Sequence, residues 1–129
     1  MQHDGLIAVV KRDCPTCALV APVLARLARD AGLTVYSQDD PAFPEGLAGV
    51  ADDTGLDVSY GLGIEIVPTL LRFEAGRETA RTFGWDRGEW QRVAGLDDLG
   101  PELPESRPGC GALNQDPARL AALKLRHGD

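Results

Sequence analysis

The stretch Cys14-Pro15-Thr16-Cys17-Ala18-Leu19-Val20-Ala21-Pro22-Val23-Leu24 decides how this chain is read. From Pro15 to about Ala31 the apolar residues Leu19, Val20, Val23, Leu24, Leu27 and Ala28 recur at steps of three and four, with Arg26, Arg29 and Asp30 between them. That spacing predicts an amphipathic helix, opened by proline and closed by Gly32, with a kink where Pro22 removes one backbone donor. Cys14 then falls at the helix start, where unpaired N–H groups and the positive end of the dipole stabilise a thiolate, the reactive form of cysteine. Lys11 and Arg12 would lower its pKa further, and Asp13 would raise it. A second cysteine three positions on, at Cys17, can close a disulfide with little backbone movement. The implied sequence is attack by Cys14 on a partner disulfide, then attack by Cys17 on the mixed disulfide.

Working outward, Leu6-Ile7-Ala8-Val9-Val10 is a continuous apolar run, as expected of a central strand covered on both faces. Leu33-Thr34-Val35-Tyr36-Ser37 reads as a second strand, ended by Asp39-Asp40-Pro41. Strand, helix and strand within so short a span predict a crossover unit with parallel strands. Residues 41 to 62 are read as a loop holding one short helix. Ile64 to Phe73, interrupted by Pro68, and Glu78 to Phe83 flank the turn signal Glu74-Ala75-Gly76-Arg77 and predict an antiparallel hairpin. Arg87 to Leu96 predicts a helix in which Trp90 packs on the sheet, while Trp85, after Gly84, is a candidate to shape the rim of the site. The proline-rich segment 97 to 111 reads as a linker or wrapped extension, followed by a final helix from Asp116 to about His127. The expected organisation is a domain over residues 1–96 and an extension over 97–129.

A chain of 129 residues with 43% hydrophobic and 26% charged residues has the balance of a folded α/β protein with one core. The net charge of −7 argues against nucleic-acid and anionic-membrane partners, and the first apolar run is too short for a signal or a span. A cytoplasmic location is the default expectation. Three cysteines, two of them close together, do not fit a secreted disulfide scaffold. A Cys-x-x-Cys pair alone also suits half a zinc site, for which Cys110, His3 or His127 would have to complete the ligands. None of these forms a second close pair, so no metal and no cofactor is expected. His3 and His127, near the termini, are read as solvated. Cys110, in Pro108-Gly109-Cys110-Gly111, is read as a possible extra redox residue, exposed on a tight turn that its glycines permit.

The run from Cys14 to Leu24, with its proline five residues after the second cysteine, resembles the active-site helix of the thioredoxin superfamily. Ser59-Tyr60-Gly61 and Ile66-Val67-Pro68-Thr69-Leu70-Leu71-Arg72-Phe73, followed by Gly76, resemble that family's second signature, and the likeness covers roughly residues 5 to 95. The resemblance implies a three-layer sandwich with a central mixed sheet and helices on both faces. It implies a thiol–disulfide oxidoreductase with Cys14 as nucleophile and Cys17 as resolving thiol. Pro68 would be a cis proline, and Val67 and Thr69 beside it would dock an extended substrate. The expected partners are a disulfide-bearing protein and an upstream reductase. Two positions depart from general thioredoxins: Asp13 stands where an aromatic residue is common, and Ala8 stands where a buried acid assists the resolving thiol. A fold of this kind can also serve as a scaffold that binds a dedicated partner, which is the alternative expectation.

Overall fold

The computed structural model describes residues 3 to 128 and is a mixed α/β protein built around a five-stranded sheet. Strand β1 (Gly5–Val10) lies at its centre, and Leu6 to Val10 are at most 2% exposed, so both faces of the strand are covered. Helix α1 (Pro15–Leu19) and helix α2 (Ala21–Asp30) follow it and lead to β2 (Leu33–Ser37), which pairs with β1 in parallel, Ala8 opposite Val35. The expected single kinked helix is thus two. Pro22 has no N–H to donate to the Ala18 carbonyl, and Val20, at φ −86° and ψ 0° with its N–H donating to the Thr16 carbonyl at 3.1 Å, ends the first segment and starts the second. Val23, Leu24 and Leu27 form the buried stripe of α2.

Short strand β3 (Ala51–Asp52) extends the sheet in parallel beyond β2, and α3 (Asp57–Gly61) is the short helix of the 41–62 segment. The apolar run from Ile64 to Phe73 is divided by Pro68 into β4 (Ile66–Val67) and β5 (Thr69–Glu74). Only β5 joins the main sheet, antiparallel to β1 and to β6 (Arg77–Phe83), so the order across the sheet is β3-β2-β1-β5-β6. Ala75 and Gly76 close this hairpin, both at positive φ (52° and 80°), as a two-residue turn of the primed type requires.

Helices cover opposite faces, and two arginines show it. Arg72 on β5 donates to the carbonyls of Val93 and Ala94 at 2.8 and 2.7 Å, capping α4 (Arg87–Ala94) where its dipole favours a cation. Arg81 on β6 sits opposite Leu71, one residue along and therefore on the other face, and donates to Leu62 and Gly63 just past α3.

The remaining chain wraps back. Strand β7 (Trp85–Asp86) pairs with β8 (Ser106–Arg107), and β4 pairs with β9 (Cys110–Gly111), both antiparallel. Leu99 and Ala112 join the buried cluster that contains β1 and α2. Trp85 donates its indole N–H to the Pro104 carbonyl at 2.7 Å, and the Arg87 guanidinium donates to the carbonyls of Leu99, Gly100 and Leu103. At 1% exposure Trp85 is core rather than rim: it packs edge-on against Trp90 and anchors this wrapping segment. A 3₁₀ turn (Leu113–Gln115) leads to α5 (Pro117–His127), capped by the Asp116 carboxylate, which accepts from the Arg119 N–H. Among the described residues, no helix is long and apolar enough to cross a membrane.

Candidate functional site

Cys14 is the N-cap of α1, and the Cys17 backbone N–H points at its sulfur at 3.3 Å. As a thiol, Cys14 donates to the Val67 carbonyl at 3.7 Å, across a sequence distance that only the β1–β5 pairing closes. As a thiolate it receives hydrogen bonds from the Cys17 thiol first, then from the Cys110 thiol and from the N–H groups of Cys17 and Thr16, and burial opposes them. The donors prevail, and its pKa is lowered to about 5 from the ordinary 9.0. Cys17, fully buried, is pushed strongly the other way, by desolvation first and then by its bond to the Cys14 sulfur and the repulsion of that charge. The two sulfurs of one helical turn are therefore set apart, one favoured as a thiolate and the other as a thiol.

Val67 lies next to Cys14, and the bond between Val67 and Pro68 is cis. Thr69 turns its hydroxyl inward to the Ile66 carbonyl at 2.6 Å, so it braces the bend and its side chain is not presented to a substrate. Cys110 is brought to the same place. It stands opposite Val67 in the β4–β9 pair, which places its thiol near that of Cys14. The expected tight turn at Cys110 is absent: Gly109 and Gly111 lack positive φ, and the segment is extended strand. Gly109 is needed for close approach, since a Cβ there would lie 2.3 Å from the Val67 carbonyl oxygen and 2.6 Å from an Ile66 methyl carbon.

The flanking charges do not act as their positions suggest. Lys11 is nearly buried and donates to the Gly111 carbonyl at 2.8 Å, so its charge bears on Cys110 rather than on Cys14. Arg12 is drawn off to Asp40 and Glu45, both at 2.6 Å, and lies over the Phe43 ring. Asp13 is exposed, and its N–H donates to Asp39. Burial and the neighbouring Cys14 charge raise the Cys110 pKa, with Lys11 opposing them.

Neither histidine is simply solvated. His3 packs against Tyr36 and Phe73, and His127 bonds Asp57 at 2.8 Å and stacks near Tyr60. Both lie away from the sulfurs. Among the described residues no group of three or more His, Cys, Asp or Glu side chains is arranged to hold a metal ion. A surface depression of about 340 Å³ is lined by His3, Asp57, Val58, Gly61 and Leu62, without a cysteine. Sequence reasoning missed Lys11, Thr16 and Gly109 as residues that position the sulfurs. A glycine directly before a cysteine outside any turn was the available signal for the last.

Neither a search of protein-family models nor a search of curated proteins finds a match to this chain.

Proposed function

We propose that this protein is a thiol–disulfide oxidoreductase with a thioredoxin-like sandwich fold, using Cys14 and Cys17 on a disulfide-bearing protein partner. The observation that carries the reading is the pair itself: a cysteine at a helix start with its pKa lowered to about 5, hydrogen-bonded by a buried, protonated second thiol. The sheet order, the cis Val67–Pro68 bond beside Cys14 and the helices on both faces support the thioredoxin-like assignment.

Cys14 thiolate attacks one sulfur of the partner disulfide, forming a mixed disulfide and expelling a partner thiolate that takes a proton from solvent. With the Cys14 charge gone, two causes that hold Cys17 protonated vanish, its hydrogen bond to that sulfur and the like-charge repulsion. Cys17 then gives its proton to the departing partner sulfur and bonds to Cys14. Two electrons have passed to the partner, and an upstream dithiol reductase restores the pair. Three cysteines in a chain of this charge suit a reducing, cytoplasmic compartment, where such a pair can be recycled.

Replacing Cys14 with Ser is expected to abolish reduction of an insulin-type disulfide substrate, and full activity in that variant would overturn the reading. One observation favours a binding scaffold instead: Cys14 is only 2% exposed, beneath the wrapped segment. The reduction potential decides between them, because a Cys14–Cys17 pair that cellular dithiols cannot cycle belongs to a scaffold.

A further inference from the structure

The cover over Cys14 is itself a cysteine-bearing strand. The backbone edge of β4 runs past the Cys14 sulfur, and an extended chain paired there as an antiparallel strand is carried across that sulfur. β9 occupies this edge, Ile66 opposite Gly111 and Val67 opposite Cys110. Two side chains that flank Cys14 hold the strand on either side of Cys110: Thr16 donates to the Pro108 carbonyl at 2.6 Å, and Lys11 to the Gly111 carbonyl at 2.8 Å. Gly109 allows an approach that no other residue could make without moving the Val67 carbonyl. Together these contacts bring one sulfur near another, since Cys110 pairs with Val67 and the Val67 carbonyl is the group that the Cys14 thiol reaches.

We propose that Cys110 is a third redox residue, a tethered thiol seated on the substrate edge of β4 that resolves mixed disulfides at Cys14 by forming a Cys14–Cys110 disulfide. This rests on the oxidoreductase reading above and adds a step to it. The partner disulfide reaches Cys14 when β9 is displaced, and attack leaves half of the partner bonded to the Cys14 sulfur. As β9 returns, the Cys110 thiol gives up its proton to the departing partner sulfur, the Cys14–partner bond breaks, and the Cys14–Cys110 bond forms. Cys17 then attacks the Cys14 sulfur; its proton passes to Cys110, which leaves as a thiol, and the oxidising equivalent comes to rest as Cys14–Cys17. The oxidant throughout is the partner disulfide, and one dithiol has been exchanged for another. Cys17 has no exposed surface, whereas Cys110 is partly exposed and travels with the strand that opens.

The test uses oxidised glutathione as the probe, with disulfides mapped by mass spectrometry after acid quenching. In Cys17→Ser protein, glutathione on Cys14 is expected to be transient and replaced by an intramolecular Cys14–Cys110 link. In the Cys17→Ser, Cys110→Ser double variant the adduct is expected to persist at least about tenfold longer. In unmodified protein, early quenching is expected to reveal Cys14–Cys110 before Cys14–Cys17 accumulates. An adduct as persistent in the single variant as in the double one, or early species in unmodified protein that are solely Cys14–Cys17, would overturn the role of Cys110 and leave the oxidoreductase reading standing. No disulfide at Cys14 in any of the proteins would remove both.

Discussion

The segment from β1 to β2 carries Cys14 and the segment from Leu96 to Asp116 passes over it, but the two are held there by different forces. The first is secured by apolar burial: Leu6 to Val10 on the strand and Val23, Leu24 and Leu27 on the helix are all at most 3% exposed. The second is secured largely by directed polar bonds. Gln38 donates to the Ser59 hydroxyl and to Asn114 at 2.8 and 3.0 Å and accepts from the Leu113 N–H, while Asn114 donates to the Ile64 carbonyl at 2.8 Å. Ser59 in turn donates to the Asp53 carboxylate at 2.6 Å. Burial is tolerant of side-chain identity, whereas a buried polar network depends on each member being satisfied. Cys14 is thus mounted on a generic apolar frame, and the strand that covers it hangs on a few specific hydrogen bonds.

Four measurements break or sharpen this contrast. Leu24→Ala leaves a cavity under α2 and is expected to lower global stability by about 2–5 kcal/mol in denaturant unfolding, with helical and sheet signals lost together. Asn114→Ala leaves the Ile64 carbonyl to the Gln115 side chain alone and strands part of the Gln38 amide, and is expected to cost about 1–3 kcal/mol. Its effect should concentrate in hydrogen exchange at residues 108–115; an equal effect across β1 and α2 would erase the distinction between the two segments. Gly109→Ala forces β9 off the Val67 carbonyl, at about 1–3 kcal/mol by crowding, and should speed alkylation of Cys14 while leaving the main sheet intact.

The smallest effect is on the pH profile. With the Cys14 pKa lowered to about 5, its alkylation rate should rise through that pH and be flat above it, instead of climbing toward 9.0. The sign for stability follows: the thiolate's contribution to the reduced fold is complete above the ordinary 9.0 and is lost as the pH falls through about 5. Cys17→Ala should move the profile upward most, because its thiol is the principal donor, and Cys110→Ala should move it upward less. An unchanged profile in Cys110→Ala would mean that its thiol does not reach the Cys14 thiolate.

The same contrast explains what could be read from the residues. The strand at Leu6–Val10, the apolar stripe of α2, the strand Leu33–Ser37 and the hairpin around Ala75-Gly76 declare themselves through periodicity or turn chemistry, because burial leaves a repeating pattern in sequence. Cys14 and Cys17 were legible for the same reason, sitting at the mouth of a recognisable helix. The separation of α1 from α2 was legible only as a kink, since Pro22 announces a missing donor but not where the chain will turn. Pairing of β9 with β4 left no such trace: it consists of backbone bonds between segments more than forty residues apart, fixed by Lys11, Thr16 and Gln38, none of which looks unusual where it stands. Lys11 in particular was expected to tune Cys14 by proximity in sequence, yet its side chain runs to Gly111, because the chain that returns there offers it a carbonyl.

The pairing of β9 with β4 also sets a threshold for whatever binds there. A strand joined to its own edge competes at an effective concentration on the order of millimolar, set by its tether rather than by supply. Under the proposed reading, an incoming extended peptide would have to exceed that local competitor before its disulfide met Cys14, and loosely binding disulfides would be turned away by simple mass action. Selectivity of this kind would need no dedicated pocket, because the β4 edge is already paired with a fragment of its own chain.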